Sequence, residues 1–208
     1  MRQVEIVTET GIAYQACLRS GTSADRADLE KLWLPMLERG PETWLDRDWP
    51  WRTFGISDLH LDENSDWLVL ADELEAGASG ELFGVLVTTG PATTQQLGLD
   101  ALLPANHRLL WLEYVAIGPS IRPDCPSRDR RQQRVKGVGR QLMCAAIDRS
   151  FDLGVDGKIG LHAEGPSANV YTGWGMRRIG NAAHRAGGSF PVFFGDATWA
   201  AGFSGRTR

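Results

Sequence analysis

A mixed α/β fold, with one central β-sheet flanked by helices, is the architecture this 208-residue sequence predicts. Three observations lead there. Short branched and apolar runs of strand length recur between Gly- and Pro-containing breaks. One of them, Leu109-Leu-Trp-Leu-Glu-Tyr-Val-Ala-Ile117, leads through a Pro- and Arg-rich stretch to Arg134-Val-Lys-Gly137-Val-Gly139. Directly after comes a segment of helical period, Val138 to about Phe151. Its two apolar rows, Val138/Leu142/Ala146 and Met143/Ile147/Phe151, form one broad face for packing on a sheet.

From the N-terminus, Gln3 to Thr8 and Ala13 to Leu18 read as strands separated by Gly11. Thr22-Ser23 offers a helix cap, and Asp25 falls in the first turn, where a carboxylate meets the amide dipole favourably. Leu29, Leu32, Trp33, Met36 and Leu37 share one helix face, and Pro35 inside that pattern predicts a kink or an end. Residues 39–65 are expected to be irregular, with a short helix. Trp67–Ala71 and Leu82–Thr88 read as strands joined by a hairpin over Asp72–Gly80. A long connection from Gly90 to His107 precedes the strand 109–117. Gly154 and Gly157 end the later helix. A strand at Lys158–Ala163, a short helix at Ser167–Gly173, and strands at Arg177–Ile179 and Pro191–Phe194 complete the chain.

Length and composition (42% hydrophobic, 23% charged) suit one well-cored globular domain over residues 1–208. A net charge of -4 and a pI near 5.6 argue against a general nucleic-acid binder and lean toward cationic substrates. Cys17, Cys125 and Cys144 are odd in number and lack Cys-x-x-Cys spacing, so neither a disulfide framework nor a zinc ribbon is expected, and a reducing cytoplasm is. No charged-then-apolar leader and no apolar run near 18 residues occurs, so neither secretion nor membrane spanning is signalled.

The stretch 134–139 predicts an anion site. Gly permits positive φ and close approach, and the first-turn amides of the following helix have no internal acceptor. A Walker loop is excluded because no Gly-Lys-Ser/Thr run exists. A Rossmann fingerprint fails because Leu142 stands where a third Gly or Ala is needed. Arg122, Arg128, Arg130, Arg131, Arg134, Lys136 and Arg140 make the segment locally basic. The competing reading is a solvated loop with ordinary surface charge.

The remaining pattern, Arg/Gln-x-x-Gly-x-Gly/Ala, resembles the acetyl-CoA pyrophosphate loop of the GNAT N-acetyltransferases. Two further motifs are similar to that family in order and spacing: Leu112-Glu-Tyr-Val-Ala-Ile117 to its fourth strand, and Tyr171-Thr-Gly-Trp-Gly175-Met176 to its Tyr-x-x-x-Gly-Phe signature. The resemblance spans residues 109–180, about a third of the chain. It implies a GNAT-like acyl-CoA N-acyltransferase fold with acetyl-CoA as co-substrate. Arg134, Val135, Lys136, Gly137, Val138, Gly139 and Arg140 would hold the pyrophosphate. Val115, Ala116 and Ile117 would pair with the pantetheine arm as an added strand would. The cofactor core would cover 111–180, acceptor-site elements would lie in 1–110, and C-terminal strands in 181–208.

A lysine-type amine, with a pKa of about 10.4, must lose a proton before it attacks, so a general base is useful. Glu113, a carboxylate within an apolar strand, is the candidate, acting directly or through water; the alternative is a buried carboxylate paired with an Arg. Desolvation there would raise its pKa. By the resemblance, Tyr171 protonates the departing CoA thiolate; otherwise it only packs. His162 on the neighbouring strand is a candidate assisting base or an ordinary sheet histidine. No metal is expected: His60, His107 and His184 lack ligand spacing. No Gly-x-Ser-x-Gly elbow occurs. The resemblance, together with the lack of a placed Cys nucleophile (Cys144 sits mid-helix), implies direct transfer.

Two features depart from the family pattern. Gly118 to Gln133 is a long insert, either a flap over the cofactor or a partner-binding loop. The family's Asn ahead of the helical Tyr falls near Glu164, with Asn169 displaced. The acceptor is expected to be a primary amine of a small molecule, lined by residues 39–65 (Asp48, Trp49 and Trp51, with Trp44 nearby), the 90–107 connection and the C-terminal strands. The alternatives are acylation of a protein Lys or N-terminus, and a non-catalytic acyl-CoA-binding or interaction module. Neither nucleic acid nor membrane is an expected partner, and a homodimer is allowed.

Overall fold

The computed structural model of the chain describes residues 1–8, 11–42, 65–72, 81–122, 135–183 and 188–205. Strands β1 (Arg2–Thr8), β2 (Ala13–Ser20), β3 (Ser65–Asp72), β4 (Leu82–Thr93), β5 (Arg108–Ile117), β6 (Val135–Lys136), β7 (Ile159–His162), β8 (Arg177–Ala183) and β9 (Ser189–Gly195) hydrogen-bond in the order β6-β1-β2-β3-β4-β5-β7-β9-β8. The sheet is mixed: β5 and β7 run parallel, whereas β1–β2, β1–β6, β2–β3, β7–β9 and β8–β9 are antiparallel. Helices α1 (Ser23–Asp28), α2 (Leu34–Arg39), α3 (Val138–Asp152), α4 (Ser167–Gly173) and α5 (Ala197–Ser204) complete the elements, and none among the described residues is long and apolar enough to cross a membrane. Two compact units result, one of residues 1–87 and 114–142, the other of residues 88–113 and 143–208.

In the first unit, Thr22 caps α1 in a reciprocal box with Asp25. Asp25 also accepts both arms of the Arg19 guanidinium at 2.5 and 2.6 Å. Burial by itself pushes this carboxyl up, but the Arg19 and Thr22 hydrogen bonds outweigh it and hold Asp25 below its ordinary range. Between α1 and α2 lies one π turn, Leu29–Trp33, in which the Leu34 amide reaches back to Leu29. The extra residue rotates the helical register. Leu32, expected on the apolar face, is therefore 55% exposed, while Leu34 is buried. The helix continues past Pro35, which occupies the first turn of α2, where its missing N–H costs least. Leu29, Trp33, Leu34 and Leu37 pack on Val69, Val85, Val87 and Ala116. The Asp72 amide donates to the Glu81 carbonyl at 2.9 Å, bringing together the ends of the predicted hairpin; its turn lies outside the described residues.

In the second unit, β4 runs on to Thr93, well past its expected end. Gly90 and Pro91, read in sequence as a break, are strand residues, and a Cβ at Gly90 would meet the Ala92 nitrogen at 2.9 Å and the Leu109 oxygen at 3.1 Å. The connection after Thr93 is compact rather than loose: Thr94 donates its amide to His107 and its hydroxyl to Pro104. Its Leu99 and Leu103 pack on Leu109, Trp111, Val192 and Phe194. Helix α5 has no counterpart in the sequence expectations. Asp196 starts it by accepting the Thr198 and Trp199 amides, each at 2.9 Å.

Candidate active site

The predicted anion turn is built from three supports in the first unit. Val135 and Lys136, expected as loop, form the short strand β6 on the β1 edge, opposite Thr8 and Val7. Gly137 then turns at φ 87°, and its carbonyl accepts the Gln141 amide at 2.9 Å as the first bond of α3. The amides of Val138, Gly139 and Arg140 precede that bond and lack intrahelical acceptors. Beneath them α3 lies close on the sheet because β4 carries a glycine there: a Cβ at Gly84 would stand 2.7 Å from Val138 and 2.9 Å from Leu142. Gln141 ties the same turn to β1 by donating to the Glu5 carbonyl at 3.1 Å.

The turn suits an anion on two counts. A Cβ placed on Gly137 would meet no atom of the described residues within 4 Å, so they leave the flank of the turn open. Lys136 and Arg140 are exposed, and the first turn of α3 carries no acidic residue to compete. Val135 and Gly139 are half-buried and Val138 is buried. Arg134 lies outside the described residues, as do Trp44, Asp48, Trp49, Trp51, His60, Cys125, His184 and residues 123–133 of the insert.

Strand β5 pairs in parallel with β7 through Leu110–Ile159, Trp111–Gly160 and Leu112–Leu161, and continues from Glu113 to Ile117. Leu109 and Trp111 pack into the core of the second unit, and Tyr114 and Ala116 into that of the first. Glu113 is half-buried. Of the edge expected to meet pantetheine, Val115 is half-buried, Ala116 buried and Ile117 39% exposed. The Ile117 carbonyl already accepts Nε and Nη2 of Arg122 at 3.0 and 2.8 Å. Arg122 reaches it because the insert begins with a tight 3-10 turn at Pro119–Ile121.

In the second unit, Tyr171 lies on α4. The Met176 amide donates to the Tyr171 carbonyl and the Gly175 amide to Thr172, with Gly175 at φ 78°; this is a Schellman stop. The Tyr-x-x-x-Gly-Met spacing thus has a helix-ending role beside any chemical one. The Tyr171 ring meets Trp174 and Phe193, each at 5.8 Å between centroids. Burial, and then the nearby Glu164 carboxylate, push its phenol up to about 12.

His162 meets Trp111 edge-on at 5.0 Å. Leu161 pairs with Phe193 and His162 with Val192, and neighbours along a strand face opposite ways. Tyr171, over Phe193, and His162 therefore occupy opposite faces of β7–β9. His107 Nε2 is buried without a hydrogen-bond partner, and burial followed by Lys158 lowers its pKa. Among the described residues no group of three His, Cys, Asp or Glu could hold a metal. The sequence reading missed Gly84 and the aromatic surround of Tyr171. A glycine inside the apolar run Leu82-Phe-Gly-Val-Leu-Val was a signal for the first, and Asp196 ahead of Ala-Thr-Trp-Ala-Ala a capping signal for the helix whose Phe203 backs Trp174, one of the two rings of the second.

No family model matches this sequence, and no curated protein does. Solved structures do. The aminoglycoside acetyltransferase AAC(6')-Ib in complex with coenzyme A and kanamycin is similar over 88% of this chain and 96% of its own, at 14% identity and a TM-score of 0.53. A GNAT-family acetyltransferase from Listeria monocytogenes matches over 92% of this chain and 99% of its own, at 15% identity and the same TM-score of 0.53. The fold is that of the GNAT acetyltransferases. A bacterial toxin also matches, over 93% of this chain and 97% of its own at 14% identity, with a TM-score of 0.53.

Proposed function

We propose that the chain, as one domain, is a GNAT-type N-acetyltransferase that moves the acetyl group of acetyl-CoA directly to a primary amine of a small molecule. The observation that carries this reading is the open, positive-φ turn at Gly137, braced by β6 and by Gly84 at the start of α3. First-turn amides without an intrahelical acceptor, with Lys136 and Arg140 beside them, suit a pyrophosphate. Val115, Ala116 and the Ile117 amide would pair with the pantetheine amides.

The amine nitrogen attacks the thioester carbonyl carbon, its N–H proton passes to Glu113 directly or through water, and the carbon–sulfur bond breaks. Tyr171 faces the departing sulfur. A phenol held near 12 stays protonated throughout the neutral range. It is a weaker acid than a thiol of pKa about 8.5, so it keeps its proton and donates a hydrogen bond to sulfur as charge develops, and the CoA thiolate that leaves is protonated from solvent.

A cationic acceptor is favoured by charge: residues 42–66 hold Glu42, Asp46, Asp48, Asp58, Asp62, Glu63 and Asp66 against Arg47 and Arg52 alone. The AAC(6')-Ib match, whose partner is kanamycin, supports the same class. Three cysteines without paired spacing support a reducing, cytoplasmic setting. Calorimetry with acetyl-CoA, followed by a thiol-release screen over polyamines, aminoglycosides and lysine peptides, tests the reading. Binding plus release with small polyamines is expected. Absence of acetyl-CoA binding overturns it, and release with peptides alone replaces the small-molecule acceptor by a protein one.

A further inference from the structure

We infer that Trp199, on α5, is a positioning residue for the Tyr171 side chain. This rests on the donor role proposed for Tyr171. Helix α4 is only seven residues long and none is fully buried, so its packing rests largely on the Tyr171 ring against Trp174 and Phe193. Its last carbonyls are each given a partner: Tyr171 by Met176, Thr172 by Gly175, Val170 by Trp174, and Trp174 by the indole Nε1 of Trp199 at 2.8 Å. Only that last bond comes from outside the helix and its own stop.

Trp199 is itself held in three ways. Asp196 accepts its amide at 2.9 Å. Gly195 leaves room for the indole, which lies 2.1 Å from where a Cβ would be. Phe203, one turn along α5, stacks on Trp199 at 5.2 Å and also meets Trp174 at 5.4 Å. The Trp174 ring in turn stands against Tyr171. A hydrogen bond and a run of ring contacts thus connect Trp199 to the phenol, which Phe193 also contacts. A hydroxyl that must meet a reacting sulfur loses rate steeply when it is misplaced by a fraction of its bond length.

Trp199→Phe keeps an aromatic ring and deletes the indole N–H. The expected result is a kcat lower by about tenfold with KM for acetyl-CoA within about twofold. The Tyr171 phenol, followed by ultraviolet difference titration, should move down toward its ordinary value. In a Tyr171→Phe background the same change should cost no further kcat. Phe203→Leu, at a half-buried position, should shift kcat and the titration in the same direction by less, and serves if Trp199→Phe does not fold. An unchanged kcat and titration, or an equal loss of kcat with and without the Tyr171 hydroxyl, overturns the inference. A Tyr171→Phe variant with full kcat overturns the donor reading instead, and the catalytic role of Trp199 with it.

Discussion

The Met176 amide donates to the Tyr171 carbonyl at 3.0 Å, so the residue that ends helix α4 and the residue proposed to meet the CoA sulfur belong to one backbone motif. Gly175 makes that motif possible at φ 78°. A Cβ there would have room, its nearest atom being 3.8 Å away in Trp199. Gly175→Ala should therefore cost only the left-handed backbone penalty, about 1 kcal/mol, seen as a Tm lower by about 2–4 °C. It should also reduce kcat, because Tyr171 sits three residues before the helix cap. Thermal melting and steady-state kinetics on one preparation check both.

Gly137→Ala separates folding from binding. Open space around the turn limits the folding cost to about 1 kcal/mol of backbone strain. The added methyl would occupy the approach left for the pyrophosphate, and affinity for acetyl-CoA should fall by about tenfold or more. Equal calorimetric affinities for the two proteins would remove this turn from the cofactor site.

Gly84→Ala places a methyl 2.7 Å from Val138 and 2.9 Å from Leu142. Overpacking of this kind costs about 1–3 kcal/mol, measured by urea denaturation, and should lift the start of α3. Adding Val138→Ala should restore part of the stability and of the acetyl-CoA affinity. No recovery in the double variant would mean that α3 does not rest on this contact.

Asp25 governs the acid limb of stability. Its folded pKa lies below the unfolded value of about 3.9. The stabilisation from Arg19 and Thr22 is thus complete above that value and disappears as pH falls through the folded pKa. Asp25→Asn should cost about 2–3 kcal/mol at neutral pH, as loss of charge-assisted bonds at a buried site does. It should also flatten the dependence of stability on acid, read from denaturation midpoints across a pH series.

Tyr171 governs the alkaline side. Its folded pKa of about 12 exceeds the unfolded value of about 10. The associated stability is complete below the unfolded value and is lost as pH rises from about 10 to about 12. Tyr171→Phe should remove that limb. It should also lower kcat by about a hundredfold with acetyl-CoA binding retained, the span expected for loss of a positioned hydrogen-bond donor to developing charge.

The parts of the fold legible in sequence are those set by near neighbours. The two apolar rows of α3 and the Thr22–Asp25 box were visible because periodicity and capping act over three or four residues. The glycine turn was visible for the same reason: positive φ is a property of one residue. Residues whose environment comes from distant chain were not. Leu32 and Leu34 exchange places because a π turn precedes Pro35. Val135 and Lys136 become a strand only because β1 offers an edge.

What the sequence alone determined is the alternation of strand and helix and most of the stops between them; it also nominated a glycine turn, a carboxylate and a tyrosine for the chemistry proposed above. What tertiary structure decided is where those groups point. Gly84 under Val138, Gln141 on the Glu5 carbonyl and Trp199 on the Trp174 carbonyl each join residues remote in the chain. Such contacts arise from close packing and hydrogen-bond satisfaction in three dimensions, which no local pattern of residues encodes.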